Sequence, residues 1–543
     1  MAVVGERVPA HAGTRGGKAR RPLLYGLGST PSPHAAPSPR TCSGADIVAR
    51  PTIVERADGW IPEQVRDDEK RTDVRSFLVT ARVATLAALL ATAACSVAPD
   101  YVRPATPAPT GYKEAEGWQA AGTDVAPSGK WWEAFADSVL TGLEERVVAG
   151  NQDLAAAVAR YDQARAVARQ ARADLFPEVG VSTDVSRDRV SAGRPLALGS
   201  AAPYTVGTVG ASLAYELDLF GRVRNSVRAS RADAAASAAD VAAITLGLQA
   251  QLASIYFDMR GLDARIVLLR QTVEANARAY QLTDTRHSGG IASGIDVSRA
   301  QNLLFSARAE LSAVGVARQR DEHAIAVLLG EAPAGFTLAV EDRQLAPPAI
   351  PAGLPSTLLE RRPDIAAAER RVAAANARIG VARSALFPSV TLGAAGGFEA
   401  ARGSLLSASN GFWALGPLSA ALAIFDGGRR RAGVQRARGE YDEAAASYRQ
   451  TVLTAFREVE DALASQRLLA AQERDQRAAA EAAEHTRELA LIRYRDGAAD
   501  YLEVVTAQTA ALDAERALLT VRSQQLQTAT DLIRALGGSV AAG

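Results

Sequence analysis

The residues with catalytic potential in this 543-residue chain are few, and their spacing argues against their using it. Of five histidines, His287, His323 and His485 fall in helical segments without a metal-ligand spacing such as HExxH, so they read as surface imidazoles. Glu458 with Asp461 and Glu481 with Glu484 set carboxylates three apart on helix faces thick with arginine, which reads as solvated surface rather than acid–base machinery. The two cysteines, Cys42 and Cys95, lie in the N-terminal fifth, leaving no disulfide framework and no thiolate metal site beyond it. A GxxxxGK[ST] phosphate loop is absent from the sequence. Charge does concentrate at two short turns, with Arg286 and Asp296 around one and Arg493, Arg495, Asp496 and Asp500 around the other. Such groups form ion pairs, or a field across a narrow opening; they do not make bonds. Neither an enzyme nor a cofactor is expected.

Those turns are held by long helices. From Leu248 an apolar seam runs through Leu252, Ile255, Met259, Leu262, Ile266 and Leu269 to Val273 in alternating steps of four and three. A helix over Phe220–Arg286 would have 67 residues and a length of about 100 Å. The stretch HSGGIASG (287–294) reverses the chain, and Val297, Leu304 and Leu311 continue seven apart to Gly330. Ahead of the long helix, helical patterning runs from Asp137 to Phe176 and stops at Pro177. Val179, Val181, Thr183 and Val185 then alternate with polar residues, a turn spans Ser186–Pro203, and Leu213, Tyr215, Leu217 and Leu219 alternate again: a β-hairpin.

The same order then recurs. At an offset of 211, residues 361–388 share 12 of 28 identities with residues 150–177, including Asp364 with Asp153 and the closing Leu-Phe-Pro. Val390 and Leu392, a turn over Arg402–Gly411, and a return strand carrying Leu418, Leu422 and Ile424 predict a second hairpin. At an offset of 207, Gly428-Arg429 answers Gly221-Arg222 and the turn at Gly497 answers Gly290. The last helix places Val505, Leu512, Leu519, Leu526 and Ile533 seven apart. The expected organisation is a first repeat over 137–330, a Pro-rich equatorial connector over 331–362, a second repeat over 363–538 and a tail over 539–543. Pro363 suits the first turn of the new helix, and Asp364 its positive end.

Composition bounds the rest. The chain is Ala-rich with 5% aromatics, and 61 Lys plus Arg against 60 Asp plus Glu leave a formal charge of +1, so no field gathers nucleic acid. Residues 74–95 form a signal: Arg75 and Arg82, then a run of roughly 12 apolar or small residues, too short to span a bilayer, ending on Cys95. This segment resembles a bacterial lipoprotein signal, which implies lipidation of Cys95; it departs from the pattern in having Thr92 where leucine is usual, and ordinary cleavage leaving a free thiol is the alternative. Residues 96–136 read as an extended arm. Residues 1–73 are Pro-, Gly- and Arg-rich, the composition of disorder, and translation is expected to start near Val74.

Two hairpins supply four strands whose edges neither water nor lipid tolerates unpaired. Membrane barrels begin at about eight strands, so closure is expected from identical copies around a rotation axis. After the signal no helical span of 18 or more apolar residues is expected, so a bilayer would be crossed by a barrel. The helices would continue it away from the lipid as a hollow cylinder.

The strings LPSTLLERRPDI (354–365), YELDLFGRVR (215–224), IFDGGRRR (424–431) and RYRDGAADYLEVVTAQ (493–508), with the paired LFP stops and APDYVRP (98–104), resemble the TolC-like outer-membrane factors. More narrowly, they are similar to the lipoprotein channels of resistance-nodulation-division efflux systems, over roughly Ala98–Gly538. The resemblance implies an α+β membrane protein of Gram-negative bacteria. It would be a homotrimer with a twelve-stranded outer-membrane β-barrel continued by a long periplasmic α-helical barrel. Its partners would be outer-membrane lipid, a periplasmic adaptor (membrane fusion protein) and an inner-membrane RND transporter. Function would be passive conduction of drugs or other small molecules. Family members close the periplasmic end with inter-helix salt bridges and carboxylate rings, which marks Asp496 and Asp500 as gate candidates, Arg493 and Arg495 as their partners, and Arg286 and Asp296 as the same feature of the first repeat. Gly290 and Gly497 at the tips are adaptor-docking candidates, or simply what a reversing chain needs. A type I protein secretion channel and a soluble coiled-coil scaffold are the competing readings.

Overall fold

The computed structural model describes residues 96–538 except 107–108, 110, 115–128, 190, 192–202, 342, 344, 349, 351–360 and 402. The extension over 1–73, the signal with Cys95, and the tail over 539–543 lie outside the described residues. All described residues belong to one compact unit, Thr80–Gly543.

The expected helix over Asp137–Phe176 is two helices, α1 (Ser138–Gly150) and α2 (Gln152–Ala173). Asn151 turns the corner in an extended conformation, accepting from the Leu154 amide at 3.0 Å to cap α2 and donating its own side-chain amide to the Leu328 carbonyl at 2.8 Å. A Cβ on Gly150 would meet the Leu329 carbonyl oxygen at 2.2 Å, so only glycine lets this corner close over the neighbouring helix end. Pro177 then releases the chain into strand β1 (Glu178–Asp188), which returns as β2 (Tyr204–Leu217).

Helix α3 (Arg222–Ser288) is 67 residues long, and α4 (Gly294–Leu328) runs back beside it. The second repeat follows as α5 (Pro363–Ser384), β3 (Ser389–Ala400), β4 (Gly411–Ala421), α6 (Arg429–Arg495) and α7 (Tyr501–Ala535). Every one of these helices has the length of its counterpart: 22 residues for α2 and α5, 67 for α3 and α6, 35 for α4 and α7. Pro363 stands at the start of α5, where its missing N–H costs nothing. Two strand expectations fail at their ends: β2 stops at Leu217, leaving Leu219 in the turn to α3, and β4 stops at Ala421, leaving Leu422 and Ile424 outside the strand.

The four strands form one antiparallel sheet in the order β1-β2-β3-β4, so the two hairpins join edge to edge through β2 and β3. The main core gathers where α1, α3, α5, α6 and α7 meet, with Tyr256, Phe257, Leu252, Met259, Tyr448 and Leu463 fully buried. Along the predicted seam of α3, Leu252, Met259 and Leu269 are inaccessible, while Ile255 and Val273 are only half-buried.

Buried ion pairs pin the connector to this core. Asp263 is fully buried and accepts from Arg260 at 2.9 Å and Arg318 at 2.6 Å, and these arginines also hold the carbonyls of Ala339 and Leu338. Arg362 grips Asp364 through two bonds of 3.0 and 2.7 Å, Glu458 at 2.7 Å and the Ala535 carbonyl at 3.3 Å, tying the start of α5 to α6 and α7.

A second correction concerns α3, which does contain an 18-residue window long and apolar enough, by length and composition, to cross a membrane. The alanines between Ala234 and Ala250 raise its apolar character without adding bulk. The same stretch is tied to α5 by the ion pairs Asp233–Arg378 and Asp240–Arg371, the mark of a helix packed on a helix.

Candidate functional site

The register of the sheet separates two chemistries. Val181, Ala211, Gly396 and Trp413 form one row across the strands, and Val179, Leu213, Ala394 and Leu415 another, two residues along. Because strand side chains alternate, these rows share a face, and it is apolar. Rows between them point the other way: Gly180, Ser212, Ala395 and Ala414, then Ser182, Gly210, Gly397 and Phe412, then Asp184, Thr208 and Glu399. This second face is small and polar except for Phe412, which lies over Gly210. Among the described residues this apolar face is largely uncovered: Val181 is 81% exposed and Trp413 84%.

Short ionic clamps join strands to long helices. Glu216 takes Arg222 through two bonds of 2.6 Å, and Asp218 takes the side chain of Arg224 at 3.1 Å and its backbone amide at 2.8 Å. In the second repeat Asp426 accepts from the Arg430 side chain at 2.7 Å and the Gly428 amide at 3.0 Å, and the Arg430 guanidinium holds its carboxyl down at about 2. Gly221 (φ 80°) and Gly428 (φ 90°) make both turns possible. The clamps themselves are missed in the sequence, where the available signal is an acid and an arginine across a glycine, six apart around Gly221 and four apart around Gly428.

The N-terminal arm begins at this level. Asn225 of α3 donates to the Ser96 hydroxyl at 3.1 Å, and Ala98 abuts Gly380 of α5. From there the arm follows α5 to α6: Asn376 donates to the Pro99 carbonyl at 2.9 Å, Tyr101 to Glu369 at 2.6 Å, and Arg103 to the Tyr448 hydroxyl at 2.8 Å.

At the far ends of α3 and α6 the two turns lie side by side. Arg286 donates to the Tyr494 and Arg495 carbonyls at 3.4 and 3.3 Å, and its guanidinium stands 4.8 Å from the Tyr494 ring centroid. Tyr494 packs on Tyr501, which with Ala300 and Val504 makes a small apolar cluster under the turns. Asp296 and Asp500 act within their own helices: Asp296 completes a capping box with Ser293, and Asp500 accepts from the Glu503 amide at 3.0 Å. Arg493 pairs with Glu503 at 2.9 Å instead of an aspartate, whereas Arg495 does lie 3.5 Å from Asp496. Gly290 (φ 76°) and Gly497 (φ 77°) hold left-handed conformations with open space around them. Beside the first tip an open groove of about 510 Å³ is lined by Gly294, Ile295, Asn302 and Val505.

Elsewhere the chemistry is quiet. His287 contacts the Ala292 carbonyl at 2.8 Å inside its turn, while His323 and His485 are exposed. Among the described residues no group of His, Cys, Asp and Glu is arranged to hold a metal. One buried group escaped sequence reasoning altogether: Glu144 on α1 is fully inaccessible, neither carboxylate oxygen has a hydrogen-bond partner, and burial pushes it up to about 9.

Comparison with known proteins agrees with this geometry. A family model described as outer membrane efflux protein matches residues 143–331 and 354–538, one stretch in each repeat. The chain is 36% identical over 453 residues to the probable efflux pump outer membrane protein TtgC of Pseudomonas putida, covering 82% of this chain and 92% of that protein. It is 35% identical over 465 residues to outer membrane protein OprJ of Pseudomonas aeruginosa, covering 84% and 95%. The solved structure of the outer-membrane channel OprN superposes with a TM-score of 0.77 at 33% identity, over 82% of this chain and 99% of that one. With two helix–hairpin–helix repeats, a two-faced sheet and a family match across both halves, the chain belongs to the outer membrane efflux protein family.

Proposed function

We propose that three copies of this chain form the outer-membrane channel of a tripartite efflux system, a passive conduit for drugs or other small molecules. The observation that carries this reading is the four-strand register, which puts an uncovered apolar face on one side and a small, polar face on the other. Facing lipid outward and water inward is what a transmembrane barrel wall requires. A four-stranded sheet with two free edges cannot supply that wall alone, and three copies give twelve strands. The paired α3/α4 and α6/α7 helices would extend the wall into the periplasm and meet an adaptor and an inner-membrane RND transporter at their tips.

Ser96 stands at the strand-to-helix junction, beside Gly221 and Asn225, which supports a lipid on Cys95 entering the membrane at that level. At the other end, Asp496, Asp500, Arg493, Arg495, Arg286 and Asp296 are the gate candidates and Gly290 and Gly497 the docking candidates. The two-repeat organisation over 137–330 and 363–538, joined by 331–362, is the frame for all of them.

The test combines fractionation, mass and conductance. The chain should partition with outer membranes, have the mass of a trimer in detergent, and conduct ions in planar bilayers. A soluble monomer would overturn the reading. An open reading frame for an export ATPase beside this one, with secreted protein as cargo, would move the same channel into type I secretion.

A further inference from the structure

The internal seam between the repeats offers a template for the joining of separate copies, an inference that rests on the trimer reading and deepens it. Within the chain, β2 and β3 place Leu217 opposite Val390 and Tyr215 opposite Leu392. At the foot of this seam Arg222 is clamped by Glu216 and Arg224 by Asp218, all from one side. Arg222, Ala385 and Ser389 line a common cavity of about 310 Å³ there.

The outer edges, β4 and β1, are the same seam cut open. At the offset of 207, Arg222 and Arg224 become Arg429 and Arg431, but Glu216 and Asp218 become Ala423 and Phe425. Both arginines remain, and both carboxylates are gone. Arg429 and Arg431 are exposed and make no ion pair among the described residues. They also stand in the first turn of α6, which holds no acid and where the helix dipole disfavours cations. Across the seam the exchange runs the other way. At the offset of 211, Ser389 and Ala385 become Glu178 and Asp174, both exposed. Glu178 makes no ion pair among the described residues, while Asp174 already lies in the field of Arg222. Leu422 and Ile424, the counterparts of Tyr215 and Leu217, lie beyond the end of β4, and Ile424 is 97% exposed.

We propose that the β4 edge of one copy closes on the β1 edge of the next in the register of the internal seam. Ile424 then lies opposite Val179 of the partner subunit, β4 lengthens by three residues, and Arg429 and Arg431 engage Glu178 of the partner subunit. Such a head-to-tail contact closes a ring when repeated by rotation. The occupant is a second copy rather than lipid phosphate because the missing carboxylates reappear at the matching positions of the opposite edge. A clamp made within one chain has become a clamp made between chains, which rewards only the correct partner edge.

Ile424→Cys with Val179→Cys in one chain, treated with a short thiol-reactive bis-maleimide in outer-membrane vesicles, should give a covalent dimer and trimer ladder that neither single variant gives. Arg429→Glu with Arg431→Glu should lower the detergent-resistant trimer about tenfold, and adding Glu178→Arg should restore most of it. A ladder from a shifted pair, Ile424→Cys with Val181→Cys, but not from the matched pair overturns the register. Unchanged trimer in the charge-reversed variant overturns the clamp, and in that case loss of binding to vesicles containing an anionic phospholipid assigns the arginines to lipid. Failure of the trimer reading is separate: the unaltered protein would then have the detergent-solubilised mass of a monomer.

Discussion

The guanidinium of Arg286 lies 4.8 Å from the centre of the Tyr494 ring, so the turn closing the first helical pair is latched to the turn closing the second within one chain. Opening the periplasmic end by splaying the two pairs would break this contact and the hydrogen bonds to the Tyr494 and Arg495 carbonyls. An exposed cation–π contact is worth about 0.5–1 kcal/mol, so Arg286→Ala should raise the open population about two- to fivefold. Single-channel recording measures this directly, and an open probability unchanged from wild type removes Arg286 from the gate.

The observed capping role of Asp500 has to be separated from its proposed gate role. Its carboxylate caps α7, and deleting a cap costs about 1 kcal/mol, so Asp500→Ala confounds gating with folding. Asn keeps the capping oxygen and discards the charge. The double variant Asp496→Asn/Asp500→Asn is therefore expected to retain the thermal stability of the wild type while increasing conductance and weakening cation preference. If both channel properties stay at wild-type values, these aspartates are ordinary solvated turn charges.

Period-two and heptad patterning revealed the hairpins and long helices because both signals are local: each residue's neighbours in sequence decide them. What patterning could not reveal depends on distant partners. The break between α1 and α2 comes from the approach of the Leu329 carbonyl to Gly150, and Asp263 acquires its role from Arg318 on the next helix. Arg493 meets Glu503 across the turn, where reasoning from charge clusters favoured the nearer aspartates. Glu144 sits in an unremarkable helical string and becomes unusual only because α1 is enclosed. The premature end of β4 is the reverse case, since Leu422 and Ile424 continue a strand pattern that a single chain does not use.

Left-handed backbone at Gly290 and Gly497 allows a turn role to be parted from a docking role. Each lies in open space, so alanine meets no clash and suffers only the conformational penalty, about 1 kcal/mol or slightly more. Asparagine tolerates this conformation better. Gly290→Asn and Gly497→Asn should fold and trimerise like the wild type. If export then falls while conductance in bilayers is normal, the tips contact the adaptor; if export is also normal, the glycines serve only the turn.

Asp263 carries the connector's attachment, holding two arginines that in turn hold backbone carbonyls of residues 338 and 339. Asp263→Ala removes the buried carboxylate that both guanidinium groups share, leaving Arg318 only Glu322 and Arg260 only the more exposed Glu341; breaking a buried pair in this way costs about 3–5 kcal/mol. Loss of the helical circular dichroism signal in detergent should move to clearly lower temperature. Arg286→Ala, which touches no buried charge, serves as the control and should not shift it comparably.

Glu144 makes stability fall as pH rises. Burial with no partner pushes the folded carboxyl up to about 9 from an ordinary value of 4.5, so between these values the folded state holds a proton that the unfolded chain releases. Unfolding then releases a proton, and linkage requires stability to decline with pH across that window, levelling off above about 9. Ionising a buried carboxylate costs several kcal/mol, so the decline should be large at pH 8–9. Glu144→Gln keeps the shape, cannot ionise and should flatten this part of the profile, with its largest gain in thermal stability at the alkaline end. A variant whose stability follows the wild-type pH profile throughout would show that Glu144 is solvated or paired in the assembled protein.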